Sequence, residues 1–226
     1  MERARRNPEA VLFDLDGTLV DSREDIAASL NAALAAVGAA PRSAAELSLR
    51  IGEPLAAIFR ACLPAAGPAE IDAACAAYRR HYFDHCAVRS ALYPGVLACL
   101  DALAPLRLGV ATTKATFQAV RVCEAFGIER RFAVIQGCDD MPGKPDPAVV
   151  RAALAKLGVA AGDAWMVGDT VLDIRAGRAA GCRVCAVTYG IGARDALAAE
   201  GPDLLLDDLA ALPGLLEIPE AIRCCP

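Results

Sequence analysis

The chain has 226 residues, 56% of them hydrophobic and 23% charged, which excludes a disordered protein and leaves room for one good-sized domain or a domain with an insertion. Its net charge of −5 gives no basic field for nucleic acid, and no apolar run reaches the length of a membrane span. An anionic ligand must therefore be met by local positive groups or by a metal.

The opening stretch Met1–Arg6 is charged but lacks the apolar segment of a signal peptide, so a cytoplasmic protein is expected. Ala10–Phe13 is an apolar run short enough to be a buried strand, and Asp14-Leu15-Asp16-Gly17-Thr18 follows directly. The pattern then turns helical from Glu24 to Val37, with Ile26, Leu30, Ala33, Leu34 and Val37 at helical spacing and Gly38 as a stop. Ser43-Ala44-Ala45-Glu46 reads as a capping box opening a second helical stretch. Pro68-Ala69-Glu70 opens a third, running towards Arg89. Residues 22–92 thus read as a helical block without a convincing strand.

From Pro94-Gly95 the pattern alternates. Apolar runs at Leu106–Ala111, Phe132–Ile135, Ala164–Val167, Val184–Val187 and Asp203–Leu206 are separated by helical stretches near 95–104, 116–126, 147–157, 171–180 and 193–199. Alternating strands and helices predict an α/β fold, a Rossmann-like parallel sheet covered on both faces. Ala10–Phe13 belongs to that sheet, so the predicted organisation is a core of residues 1–21 and 93–226 with an inserted all-helical domain at 22–92. Pro219 onward reads as a loose tail.

Ten cysteines are scattered through the chain, mostly in Ala-rich helical stretches, which suits buried reduced thiols. Cys182 and Cys185 have CxxC spacing, but in a strand they face opposite sides, so neither zinc nor redox chemistry is expected of them. His81 and His85 are spaced to share a helix face and read as a solvated or packed pair. Lysine occurs at three positions only, Lys114, Lys144 and Lys156, against twenty arginines.

The chemistry concentrates at strand ends. Asp14 and Asp16 lie two residues apart after the first strand and point to the same side if extended backbone persists through Leu15. At 4 Å and an effective dielectric near 20, two such charges repel by about 4 kcal/mol, which a bound Mg2+ can offset. An acidic turn capping a helix is the simpler alternative. Later strand ends bring Thr112-Thr113-Lys114, then Gly143-Lys144-Pro145-Asp146-Pro147, then Gly168-Asp169-Thr170-Val171-Leu172-Asp173. Each has a plain alternative as a helix cap, a loop charge or a turn. In a parallel sheet, however, all four lie on one edge, and that conjunction is far more specific than any member.

In order and spacing these four motifs resemble the haloacid dehalogenase superfamily of phosphohydrolases. Val20-Asp21-Ser22, Tyr93-Pro94-Gly95-Val96 and Lys144-Pro145-Asp146-Pro147 are similar to its phosphoglycolate phosphatase-like branch, and the 22–92 block to a C1 helical cap. The resemblance implies a Mg2+-dependent phosphatase acting on a small phosphate ester through an aspartyl-phosphate. Asp14 would be the nucleophile and Asp16 the general acid, then base. Asp14, the backbone carbonyl of Asp16 and Asp169 would hold Mg2+. Thr112 and Lys144 would bind the transferring phosphoryl group, with Asp173 supporting Lys144 or a metal-bound water. Thr18 would fix the turn. Where the branch usually has Thr-Asn-Lys, this chain has Thr112-Thr113-Lys114, placing Thr113 rather than an amide at the substrate. Lys114 is expected to face solvent at a helix start. Gly52 and Pro54 imply a loop around Arg50, from which Arg50 would reach a carboxylate or sugar hydroxyl. A phosphosugar mutase is the alternative within the superfamily, and a phospho-acceptor signalling module or a silent phosphate-binding protein the alternative outside it. Expected partners are a small phosphate ester, neither nucleic acid nor membrane, in a monomer or homodimer.

Overall fold

The computed structural model describes residues 8–216. The charged N-terminal stretch, the tail from Pro219 and the Cys224-Cys225 pair therefore lie outside the described residues. Within them, six parallel strands form one sheet: β1 (Ala10–Phe13), β4 (Arg107–Ala111), β5 (Val134–Gln136), β6 (Ala164–Gly168), β7 (Arg183–Val187) and β8 (Leu204–Leu206), in the order β5-β4-β1-β6-β7-β8. The predicted parallel sheet is present, with each strand within two residues of its expected start. β1 is buried throughout, as its unbroken apolar run requires of a strand covered on both faces. Val11 and Phe13 face one core cluster and Ala10 and Leu12 the other, which is the alternation of a strand.

β1 is the centre of the fold. From it the chain builds outward through β4 and β5, then crosses back to β6 on the other side of β1. Phe13 lies level with Val110 on one neighbour and Val167 on the other. Asp14 consequently emerges at a topological switch point, where open α/β sheets leave a crevice at their carboxyl ends. The helices α5 (Val96–Ala102), α6 (Thr116–Ala125), α7 (Ala148–Leu157), α8 (Val171–Ala180) and α9 (Arg194–Ala199) fall where helical stretches were expected, with a short α10 (Leu212–Leu215) closing the described chain.

Between β1 and β4 the structure adds detail that the periodicity did not carry. β2 (Val20–Asp21) and β3 (Ala91–Leu92) form a two-stranded antiparallel ribbon at the points where the chain leaves and re-enters the sheet layer. Between them lie α1 (Arg23–Ala36), α2 (Ala44–Ser48), α3 (Leu55–Cys62) and α4 (Pro68–His85). Ser43 accepts from the Glu46 amide and starts α2, as its sequence suggested. α3 is an addition; a turn through Gly52, whose φ of +99° favours glycine, separates it from α2. α4 stops at His85, short of the expected Arg89. The reason is Asp25 of α1, whose buried carboxylate accepts from the amides of Arg89 and Ser90 and from the Ser90 hydroxyl, drawing the chain out of the helix. α1 and α4 pack through Ile26, Leu30, Tyr78 and Tyr82, in the same core cluster as Phe13. His81 and His85 stack with centroids 4.1 Å apart, and His81 Nδ1 meets the buried Ser29 hydroxyl at 2.9 Å. No helix among the described residues is long and apolar enough to cross a membrane.

Candidate active site

Asp14 continues the β1 register, its amide donating to the Val167 carbonyl at 2.8 Å. Its Oδ1 accepts from Lys144 Nζ at 2.7 Å, and the same ammonium donates to Asp173 Oδ1 at 2.6 Å. Lys144 arrives from the loop between β5 and α7, and Asp173 from the first turn of α8. There Thr170 and Asp173 form a reciprocal capping box: Asp173 Oδ2 accepts from the Thr170 amide and hydroxyl at 3.0 and 2.6 Å. One cap thus fixes both the helix start and the carboxylate that holds Lys144. Asp169, fully buried at the end of β6, accepts from the Thr18 hydroxyl at 3.0 Å and from the Ile191 amide at 2.7 Å. Gly17 makes this approach possible. Its φ is +90°, and a Cβ there would sit 2.2 Å from Asp169 Oδ2.

One carboxylate oxygen from each of Asp14, Asp169 and Asp173 lies within 4.8 Å of the others. Burial pushes the Asp14 carboxyl up to about 7; Lys144 opposes the rise and Asp173 adds to it. Asp169 is held well above the usual carboxylate range by burial, then by Asp173 and Asp14. Burial works against the Lys144 ammonium, but Asp14 and Asp173 outweigh it and hold its pKa above the ordinary lysine value. Among the described residues Lys144 thus pairs with two of the three carboxylates, Asp14 and Asp173, and Asp169 lies beside them with neutral donors only. An acidic cluster with only oxygen donors is suited to a hard divalent cation that offsets the excess charge.

Asp16 is not one of these three carboxylates. Its Oδ1 accepts from Ser22 at 2.6 Å, and its Oδ2 is 3.1 Å from Lys114 Nζ. Lys114 corrects the expectation from sequence: it does not face solvent. Its side chain is 5% exposed, and its ammonium lies 4.0 Å from the centre of the Tyr82 ring of α4. The carboxylate on one side and the aromatic face on the other explain why it turns inward. Lysine's scarcity and the position of Lys114 at a strand end are the signals that could have found it.

Thr112 is buried, and its amide donates to the Gln136 carbonyl at 3.0 Å. A cavity of about 420 Å³ opens above these strand ends. Asp14, Asp16, Thr112, Thr113 and Lys114 line its floor, and Glu53, Pro54, Ile58, Tyr78 and Arg79 of the helical insertion line its roof. Arg50 is not brought into the cavity; it pairs with Glu53 at 3.2 Å and is about one-third exposed. Two further lining residues carried no sequence signal, Arg79 and Gln118.

Comparison with known proteins places this geometry among hydrolases. The sequence profile of the haloacid dehalogenase-like hydrolases matches residues 11–187. A phosphoglycolate phosphatase of Rhodospirillum rubrum is 36% identical, over 94% of this chain and 92% of its own length. One from Cupriavidus necator is 38% identical, over 92% of each. Among solved structures, a predicted phosphoglycolate phosphatase from Haemophilus somnus superposes with a TM-score of 0.83 at 30% identity, over 92% of this chain and 97% of that one. CbbY from Rhodobacter sphaeroides in complex with phosphate superposes with a TM-score of 0.79 at 28% identity, over 91% and 96%.

Proposed function

Because the chain belongs to the haloacid dehalogenase-like hydrolases, we propose that this phosphatase hydrolyses a small phosphorylated metabolite, phosphoglycolate-like or a sugar phosphate, with Mg2+ and through an aspartyl-phosphate on Asp14. The observation that carries this reading is the convergence of Asp14, Lys144, Asp169 and Asp173 beneath a cavity of small-metabolite size.

Asp14 Oδ1 is occupied by Lys144, and no side chain among the described residues donates to Oδ2. Oδ2 is the oxygen that attacks phosphorus, forming the O–P bond of the aspartyl-phosphate as the ester oxygen leaves. Lys144 and the Thr112 hydroxyl donate to the phosphoryl oxygens, where charge is densest in flight. Thr113 lines the same floor. Asp16 gives its proton to the departing oxygen, then takes one from the water that attacks the aspartyl-phosphate. Phosphate leaves and the Asp14 carboxylate is restored. Asp173 keeps Lys144 aimed at Asp14. Asp14, the Asp16 backbone carbonyl and Asp169 would hold Mg2+, which when bound lowers the repulsion between the nucleophile and the phosphate dianion. The eight cysteines among the described residues are unpaired, seven of them buried, which supports a reducing, cytoplasmic setting.

A panel of phosphorylated metabolites, assayed for phosphate release with and without Mg2+, tests the proposal. Turnover of a small phosphate ester that stops on chelation and returns with Mg2+ is the expected result. Turnover that survives exhaustive chelation, or none with any ester, would overturn it.

A further inference from the structure

Lys114 joins the sheet edge to the helical insertion. Its backbone is fixed to the sheet edge: its amide donates to the Thr112 hydroxyl at 3.3 Å, and its carbonyl accepts from the Cys138 amide at 2.9 Å. Its ammonium ends 3.1 Å from Asp16 Oδ2 and 4.0 Å from the centre of the Tyr82 ring. That ring is a rigid platform. Tyr82 is fully buried and stacks on Tyr78, with centroids 5.4 Å apart and planes 11° from parallel. Its hydroxyl has no hydrogen-bond partner among the described residues, so the face of the ring is what it offers. The next residue repeats the contact at the surface. Phe83 meets Phe117 of α6 with centroids 6.1 Å apart, and the Arg121 guanidinium lies 5.9 Å from the centre of the Phe83 ring. Both phenylalanines are nearly half exposed, so they fasten a seam rather than fill a core. Consecutive residues in the last turn of α4 thus each take a cation from the segment 114–121.

Asp16 is held at both oxygens. Oδ1 accepts from the Ser22 hydroxyl at 2.6 Å, and Oδ2 faces Lys114. The torsion that turns an aspartate carboxyl is soft, so one contact alone would leave its angle loosely set. A hydroxyl both donates and accepts, and Ser22 therefore suits Oδ1 with or without a proton. An ammonium only donates, and Lys114 therefore anchors Oδ2 whichever form Oδ1 takes. We propose that Lys114, seated on Tyr82, is a positioning residue for Asp16: it holds the carboxyl at the angle from which a proton passes to the departing ester oxygen. The role rests on the phosphatase reading above, in which Asp16 is the acid. Tyr82 acts through Lys114, so the last turn of α4 helps to set the geometry of a group on the sheet edge.

The test separates leaving groups. Ethyl phosphate needs a proton on its departing oxygen, whereas 4-nitrophenyl phosphate expels a stable phenolate without one. Single-turnover release of ethanol and of 4-nitrophenol, each with Mg2+, gives a ratio of two rates for every variant. Asp16→Ala sets the scale: ethanol release should slow by about a hundredfold to ten-thousandfold and 4-nitrophenol release far less. Lys114→Met keeps an apolar chain against Tyr82 and should move the ratio the same way by about tenfold or more, the range for a lost hydrogen bond between charged groups. Tyr82→Leu, which removes the ring face, should move it in the same direction by less. Tyr82→Phe keeps the face, drops an unpartnered hydroxyl, and should retain the wild-type ratio with an equal or higher melting temperature. A purely structural lysine would slow both esters alike. Selective slowing by Asp16→Ala with an unmoved ratio in Lys114→Met overturns the positioning role and leaves the phosphatase reading standing. Should Lys114→Met fail to fold, an unmoved ratio in Tyr82→Leu overturns it equally. No selectivity in Asp16→Ala itself removes the acid from that reading, and the role of Lys114 falls with it.

Discussion

Asp14→Asn should abolish turnover and yet stabilise the metal-free protein. Burial raises the Asp14 carboxyl from its ordinary 3.8 to about 7. A carboxyl with a raised folded-state pKa binds its proton more tightly folded than unfolded. Ionising it therefore works against folding. The effect is absent below about pH 4, grows between there and about pH 7, and is complete above. The rise corresponds to about 4 kcal/mol at full ionisation, at 1.36 kcal/mol per pH unit. Asparagine cannot recover all of this, because Lys144 loses one of its two counter-charges. It does keep an Oδ1 acceptor for the ammonium, so about half, roughly 2 kcal/mol, should remain as a gain. For a chain of this size that is a rise in Tm of about 4–8 °C. Thermal melts of both proteins in chelator at about pH 8 and about pH 5 measure it. The advantage of the variant should shrink as pH falls, and Mg2+ should raise the wild-type Tm more than the variant's. A variant that melts at or below the wild type at the higher pH, or whose advantage grows on acidification, would refute the reasoning.

Gly17→Ala should lose activity by more than about a hundredfold and lower Tm, since its Cβ would meet Asp169 Oδ2 at 2.2 Å on a backbone with φ of +90°; activity and melting curves report both effects. Asp25→Ala should destabilise by about 2–4 kcal/mol, because it frees the Arg89 and Ser90 amides and the Ser90 hydroxyl where the chain returns to β3; denaturant unfolding measures it, and a loss below about 0.5 kcal/mol would contradict the role of this carboxylate. Burial pushes the thiols of Cys99, Cys123, Cys182 and Cys185 up to about 12, so in the folded protein at about pH 8 they should resist iodoacetamide while the half-buried Cys138 reacts first among the eight described cysteines; peptide mass mapping gives the order.

The sheet was legible because each strand is an apolar run bounded by turn residues and separated from the next by a helix, so position and parallel pairing followed together. The edge that carries the candidate site was legible for the same reason: Asp14, Thr112 and Asp169 directly follow strands whose direction was already set, and Lys144 follows closely in a loop. Lys144 joins Asp14 to Asp173 across 130 and 29 residues, a contact that only the sheet's topology brings about. What escaped lacked a local signal. β2 and β3 are two residues each, too short to display alternation. The end of α4 is set by Asp25, distant in sequence. Lys114 turns inward because of Asp16 and Tyr82, one from the sheet and one from the helical insertion, and neither pairing is written in the residues beside it. Arg50 sat in the loop as expected, but Glu53, three residues on, holds it away from the cavity. Gln118 reads as an ordinary helical residue until its unpaired amide is seen against the cavity.

Asp14 as nucleophile is the central claim, and trapping the phosphorylated enzyme tests it most directly. A single turnover of phosphoglycolate with Mg2+, quenched in acid and digested, is read by mass spectrometry of the peptide spanning residues 8–23. One phosphoryl group on Asp14, absent from the Asp14→Asn protein and from samples quenched after completion, is the expected result. Phosphate release while Asp14 stays unmodified at every quench time, or a phosphoryl group on another residue, would contradict it.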